Sequence, residues 1–436
     1  MILEVPLSRP SPPPLKMQRQ MDDPSGPVAV TASSGWDPES AWGSTMMGDR
    51  DITRRAACRR MLLGGCALPF AGAGTRSGVG SDRQQSPGAA DLEALLERVR
   101  REHDLPGLAA AVVSGARGAI SAVTGVRRRR NQATLQLGDR FHIASCTKSW
   151  TAMLAAVAVQ KERLGWTTTL AEGLPALAKR VRSEYAAATL EQLLAHEAKL
   201  PAYTQPSAQR VEQMRALTGS SAEQRLAFLR QVLVEGPNVA TGDGAYSNAG
   251  YAAAGAMIES AAGRSWEDLV RRELAEPLSL TTVGFGYPAT AAHPDQPRGH
   301  ARSGGTTVEL PLDEARQLAE CLWPAGAVHC SIGDLATYAA DHLSGLRGRP
   351  ALLPSAYYEY IHRQRGASVF TLGWGRARDP RFGVIHFGAG SGGWFFVRIV
   401  VAPDPDAAVV VASNSGDADR AARGLWPLLV QRFATR

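Results

Sequence analysis

The stretch DRFHIASCTKSWTAML, Asp139 to Leu154, decides how this chain is read. Trp150, Met153, Leu154 and Val157 fall on nearly every side of the helix expected from Ala144 to Gly165, and a helix that is apolar all round is a buried one. Ser145 and Lys148 stand at its start. Residues i and i+3 share a helix face, so the amine can reach the hydroxyl, while the helix N-terminus favours negative charge developing there. An amine in so apolar a place loses hydration; its neutral form is favoured and can accept the serine proton. The competing reading is a serine N-cap followed by a solvated lysine. SxxK occurs by chance in many chains, but here it occurs once, ahead of a helix with little solvated face. The chain holds five lysines (Lys16, Lys148, Lys161, Lys179 and Lys199) against a basic total of 48. A lysine kept in so arginine-rich a chain is informative, because its amine can titrate where a guanidinium cannot.

Two further segments join it. GAYSNAGY carries the one YxN of the sequence, Tyr246 to Asn248. A phenol beside a lysine ammonium can have its pKa lowered and shuttle a proton, and the Asn248 amide can hold either a substrate carbonyl or the lysine. Its alternative is a simple turn, for which Ser-Asn-Ala-Gly is suitable chemistry. HFGAGSGGW, His386 to Trp394, closes an expected strand; its glycines let a backbone N–H approach a substrate, and His386 supplies a donor or a titratable group.

Around these motifs, the i, i+3, i+4, i+7 pattern of Leu92, Leu95, Leu96 and Val99 predicts an amphipathic helix from Asp91. Leu108 to Val126 reads as a hairpin with a Gly-containing turn. The interval from Thr168 to about Glu320 shows helical segments and no convincing strand. Strands are expected again at Val369 to Gly375, Phe382 to Gly388, Gly393 to Ala402 and Ala407 to Asn414, followed by a helix from Asp417 to Phe433 with Pro427 as a kink. The fold class that follows is α+β: an antiparallel sheet flanked by helices, completed by both ends of the chain, with a mostly helical inserted domain. The expected domains are residues 91–165 with 321–436, and an insertion at 166–320.

The N-terminal region reads differently. Residues 1–50, rich in Pro and Ser, are expected to be disordered or to precede a true start at Met46 or Met47. RRAACRRMLLGGCALPFAGAG, Arg54 to Gly74, has the layout of an export signal over residues 51–74, with Arg59-Arg60 of twin-arginine type, followed by a linker at 75–90. This predicts a periplasmic or extracytoplasmic protein; a lipoprotein anchor at Cys66 ranks lower, because so few apolar residues precede it. About 13 apolar or small residues are too few for a stable membrane span. The net charge of +7 is scattered rather than clustered, so no nucleic-acid partner is expected. No metal is expected, since the five cysteines and nine histidines show no ligand spacing, and no cofactor is needed. A Cys321–Cys330 disulfide is an open alternative.

Taken together, the three motifs resemble the serine beta-lactamase and penicillin-binding family over about Leu92 to Phe433, in particular its branch of class C lactamases, D-Ala-D-Ala carboxypeptidases and esterases. The flanks ATLEQLLAH, YSNAGYAAAGAMIESAAGRSWEDLVRRELAEPLSLTTVGFG, AGAVHCSIGDLATYAADHLSG and FTLGWG support it. The resemblance implies that Ser145 forms an acyl-enzyme, that Lys148 and Tyr246 handle its proton and that Asn248 orients substrate. His386 and Gly388 would occupy the Lys-Thr-Gly strand position, with the N–H groups of Ser145 and Ala389 as oxyanion hole. Two departures stand out. Phe387 replaces a hydroxyl residue that helps bind a substrate carboxylate, which tilts the expected substrate from a lactam towards an ester or neutral amide. Glu197-Ala198-Lys199 stands where relatives carry Thr-Ser-Gly after the histidine, and His196 itself reads as structural. A non-catalytic binder of penicillin or cell-wall peptide, and an acyl transferase using the same serine, remain the alternatives.

Overall fold

The computed structural model describes residues 88–115, 117–130, 132–238, 246–303, 306–312 and 318–434. The expected disordered stretch, the export signal and residues 75–87 of the linker lie outside the described residues. Helix α1 (Ala89–Glu102) begins two residues before Asp91, behind Gly88 at φ 98°, and buries Leu92, Leu95, Leu96 and Val99 as their spacing predicts. Strands β1 (Gly107–Ser114) and β2 (Gly118–Gly125) form the hairpin, β3 (Arg140–His142) leads into the nucleophile turn, and α2 (Thr147–Gln160) is the all-round buried helix. The middle of the chain contributes α3 (Ala208–Arg215), α4 (Ser221–Val232) and α5 (Asn248–Ala262) among shorter turns.

That middle is not free of strands. β4 (Gly284–Phe285), β5 (His300–Ser303) and β6 (Thr306–Glu309) occur there, and β5 pairs with β6 in register His300 to Glu309. HARS and TTVE carry no apolar run, so nothing in their composition marks them; pairing partners make them strands. The short helix α6 (Trp323–Gly326) then leads into β7 (Val328–Ser331), which lies between β3 and β4. After α7 (Ile332–Leu346) and α8 (Ser355–His362), the strands β8 (Gly375–Asp379), β9 (Gly383–Ser391), β10 (Phe396–Ala402) and β11 (Ala407–Ser413) precede α9 (Asp419–Leu429). The strand expected at Val369 to Gly375 is instead a turn closed by the Thr371 N–H donating to the Trp374 carbonyl at 2.8 Å, with Gly373 at φ 78°. β8 begins only at Gly375, and as an edge strand its sequence GRARD is polar enough to hide. The final helix ends at Leu429 in a π-helical turn, Val430–Ala434, just past Pro427.

The main sheet is antiparallel in the order β2-β1-β11-β10-β9-β8, so both ends of the described chain build it. Alternation divides its side chains between two faces. Ala109, Ala111 and Val113 of β1 join Val397, Ile399, Val401, Val410 and Ala412 in one core with Trp150 and Tyr338. Leu108, Val112, Val400, Val409 and Val411 have the other parity and are equally buried, while α1 and α9 pack on the sheet. Cys146, Cys321 and Cys330 are buried free thiols, so the Cys321–Cys330 disulfide is not formed. Among the described residues no helix is long and apolar enough to cross a membrane, and no cluster of three or more His, Cys, Asp or Glu has metal-binding geometry.

Candidate active site

The nucleophile turn is a single 3-10 turn, Ala144–Cys146, ahead of α2. Ala144 sits at φ 44°, a left-handed conformation that costs a non-glycine residue on the order of 1 kcal/mol and persists only where surroundings enforce it. They do so from two sides. The Ile143 N–H donates to the Val328 carbonyl at 2.9 Å, and the Val328 N–H donates to Thr147 Oγ1 at 3.0 Å, which pins the turn to β7. From the other side β9 presses against it: a Cβ built on Gly390 would lie 2.1 Å from the Ile143 carbonyl and 3.0 Å from the Ser145 and Cys146 nitrogens. Only a glycine strand can come so near to the nucleophile's backbone. Ala389 lies between Gly388 and Gly390 on this strand.

Lys148 is buried to 3 % exposure. Its Nζ lies 3.4 Å from Ser145 Oγ and donates to Asn248 Oδ1 at 2.7 Å and to the Ala325 carbonyl at 2.8 Å. Burial lowers the amine from its ordinary 10.5 to about 7, so a substantial neutral fraction exists near neutrality. The Nζ also stands 4.7 Å from the Tyr246 ring centroid and 5.4 Å from that of Tyr251. Both ring faces favour the ammonium that forms once the amine takes a proton.

Tyr246 hydrogen-bonds Ser145 through its phenol, yet burial outweighs that bond and pushes the phenol above its usual 10. This reverses the lowered value expected from a neighbouring ammonium. Taking both groups out of water disfavours phenolate and ammonium alike, so the phenol stays neutral beside an amine that has a substantial neutral fraction near neutrality. His196 stacks on Tyr246 with ring centroids 4.3 Å apart, and its Nδ1 accepts from the Ser247 N–H at 3.1 Å. Burial and the nearby lysine hold it well below 6.5, so it is a neutral support for the phenol rather than a base.

Asn248 is placed by the loop after His196. Three successive carbonyls receive its segment: Pro201 from Ser247 Oγ at 2.8 Å, Ala202 from the Asn248 N–H at 2.8 Å and Tyr203 from Asn248 Nδ2 at 2.9 Å. The side-chain amide is thereby oriented with its oxygen on Lys148. Its first task in this geometry is to hold the lysine. The loop achieves this with three left-handed residues, His196 at φ 63°, Lys199 at φ 56° and Tyr203 at φ 48°. Lys199 occupies the position where the resemblance expects glycine, and its backbone keeps the conformation that glycine adopts most easily.

The structure therefore brings Ser145, Lys148, Tyr246 and Asn248 together and lays Gly388, Ala389 and Gly390 alongside. His386 is buried among imidazoles: its ring lies edge-on to His362 at 4.5 Å, and His342 Nδ1 meets His362 Nε2 at 2.9 Å. Burial and Arg376 lower it to about 4, so it stands at the strand position as a neutral ring rather than a charged donor. Phe387 is buried with its ring against Gly375 of β8, where a Cβ would lie 2.3 Å from Phe387 Cε2. Sequence reasoning missed the Ala325 and Tyr203 carbonyls. Backbone acceptors leave no residue-type signal, and only the stretches around them could have drawn attention.

A family profile described as Beta-lactamase matches residues 92–432. A curated relative, penicillin-binding protein 4 of Amycolatopsis lactamdurans, is 26 % identical over 343 residues, covering 75 % of this chain and 85 % of that protein. Among solved structures, the octameric penicillin-binding protein homologue from Pyrococcus abyssi superposes with a TM-score of 0.63 at 18 % identity, over 79 % of this chain and 77 % of that one. A class C beta-lactamase from Rhodobacter sphaeroides gives 0.61 at 22 % identity, over 79 % and 100 % respectively. At these identities the structural matches speak to the fold, which they share with this chain.

Proposed function

The chain belongs to the beta-lactamase family, and from that premise we propose that it is an exported serine hydrolase acting through an acyl-enzyme on Ser145, with an ester or neutral amide as substrate. The observation that carries this reading is the buried Lys148 amine, 3.4 Å from Ser145 Oγ and anchored by two acceptors. The neutral amine takes the hydroxyl proton as Ser145 Oγ attacks the substrate carbonyl. The N–H groups of Ser145 and Ala389 receive the oxyanion. Tyr246, a neutral phenol hydrogen-bonded to Ser145, passes a proton to the leaving group and is refilled from the Lys148 ammonium. Water then attacks the ester of Ser145 by the same path reversed, returning the serine proton. Every proton in this sequence is carried by a side chain. Phe387 offers no hydroxyl to a substrate carboxylate, which favours substrates without one. Export rests on Arg59-Arg60 and the apolar run after them.

Purified protein and Ser145→Ala, assayed with p-nitrophenyl butyrate and nitrocefin, test the proposal. Turnover that vanishes in the variant, with an acyl adduct on Ser145 by intact mass after a fluorophosphonate probe, is the expected result. A single stoichiometric burst would instead identify a binder, and product that grows only with an added alcohol or amine acceptor would identify a transferase. Equal turnover in both proteins would refute the assignment of Ser145.

A further inference from the structure

The Lys148 amine is held by a backbone carbonyl, and what holds that carbonyl is visible one helical turn further on. Ala325 belongs to α6, a four-residue helix wedged between α2 and α5. Three residues of α2 grip this segment: Thr147 through the Val328 N–H, Lys148 through the Ala325 carbonyl, and Thr151, whose Oγ1 donates to the Pro324 carbonyl at 2.7 Å. On the other side a Cβ on Gly255 of α5 would lie 2.6 Å from Pro324 Cγ, so the segment has no slack in that direction. The Thr151 hydroxyl is itself oriented. Trp266 Nε1 donates to Thr151 Oγ1 at 3.0 Å, which leaves the hydroxyl hydrogen for Pro324. Trp266 is anchored in turn, since its backbone N–H donates to Glu259 Oε1 at 2.8 Å and Glu259 pairs with the fully buried Arg225, which also holds Glu267 Oε1 at 2.9 Å. Thr151 and Trp266 are both completely buried.

We infer that Thr151 and Trp266 are positioning residues for the Lys148 amine: the chain Trp266 Nε1–Thr151 Oγ1–Pro324 O fixes the segment whose next carbonyl accepts the amine's hydrogen. Neither residue touches Ser145 or a substrate, and the inference rests on Lys148 acting as the base proposed above. The chemistry is direct. A carbonyl stabilises an ammonium more than an amine, so its distance from Nζ sets how readily the lysine gives up a proton. Thr151→Val keeps the shape, removes the hydroxyl, and orphans both the Pro324 carbonyl and the Trp266 indole N–H. The segment then relaxes, Ala325 withdraws, and the amine loses an acceptor that favours its charged form. The titratable groups facing the amine are Tyr246, Tyr251, Cys146 and His196, beside the Ser145 hydroxyl and the Asn248 amide, and none of them is altered by the substitution.

The test is a titration of the Lys148 amine by NMR in protein labelled at lysine Cε, feasible because the chain has five lysines, with the pH profile of fluorophosphonate labelling of Ser145 followed in parallel. In Thr151→Val the Lys148 midpoint is expected to move about 0.5–1 pH unit lower than in the wild type, and labelling to slow by about 10- to 100-fold. Thr151→Ser should restore both. Trp266→Phe, which removes the donor at the head of the chain together with part of the buried ring and leaves Thr151 in place, should move the midpoint in the same direction and provides the reading if Thr151→Val fails to fold. A midpoint unmoved in these variants, even with slower labelling, would overturn the inference, because a merely structural role loses amplitude without moving the titration. A wild type that never labels at Ser145 would instead sink the proposed function, and the NMR midpoint would still decide the role of Thr151.

Discussion

Replacing Lys148 by methionine tests the buried amine twice, through catalysis and through stability. The ordinary lysine value of 10.5 falls to about 7 in the folded chain, which at about 1.4 kcal/mol per factor of ten is on the order of 5 kcal/mol. Between pH 7 and 10.5 the unfolded chain carries a proton that the folded chain does not, so wild-type stability falls as the pH drops across this window. Above the window the amine is neutral in both states and costs nothing; below it the penalty is fully present. Lys148→Met removes the titration but orphans Asn248 Oδ1 and the Ala325 carbonyl, each at about 1–3 kcal/mol. The two effects oppose each other near pH 7, whereas at pH 10.5 and above only the cost of the orphaned acceptors remains, so a measurement at one pH does not separate them. The difference between variant and wild type should nevertheless shift by up to about 5 kcal/mol in the variant's favour on going from pH 10.5 to pH 7, because the orphaned acceptors do not titrate there. Denaturant unfolding at several pH values measures it. Acylation of Ser145 should fall in the same variant by about 10²–10⁴-fold for want of a general base. A stability difference flat with pH would show that the amine is not held neutral, and unchanged acylation would show that Tyr246 suffices without it.

Two other perturbations probe the supports of the site. At Lys199, φ 56°, substitution by valine should lower stability by about 1–2 kcal/mol relative to Lys199→Gly, as a β-branched residue resists the left-handed region; indistinguishable melts would mean the loop readjusts freely. Arg225→Ala leaves Glu259 and Glu267 buried without their cation and should cost about 3–5 kcal/mol near neutral pH. Burial already raises Glu259 above its usual value, so this loss should shrink as the pH falls and Glu259 protonates; a loss that stays constant on acidification from about pH 7 to about pH 4 would count against that account.

Much of this protein was legible in its residues. The apolar circumference of α2 marked a buried helix, and a serine and lysine three apart across its first turn indicated which side chains meet, because the 3-10 turn and the helix that continues it bring i and i+3 to one face. Continuous apolar runs located β1, β10 and β11, where burial on both faces leaves a strong compositional trace, and the Gly-containing turn after β1 located the half-exposed edge strand β2. β5, β6 and β8 escaped because edge and hairpin strands are half-solvated, carry no apolar run and owe their form to backbone pairing, of β5 with β6 and of β8 with β9. The direction of the Tyr246 shift was also beyond the sequence, since it turns on whether desolvation or a neighbouring charge dominates, and only the packed site decides that. The same holds for Ala325, Tyr203 and Thr151. Their part in holding Lys148 and Asn248 lies in where backbone carbonyls and one hydroxyl point, and that direction is set by contacts between segments the chain keeps far apart.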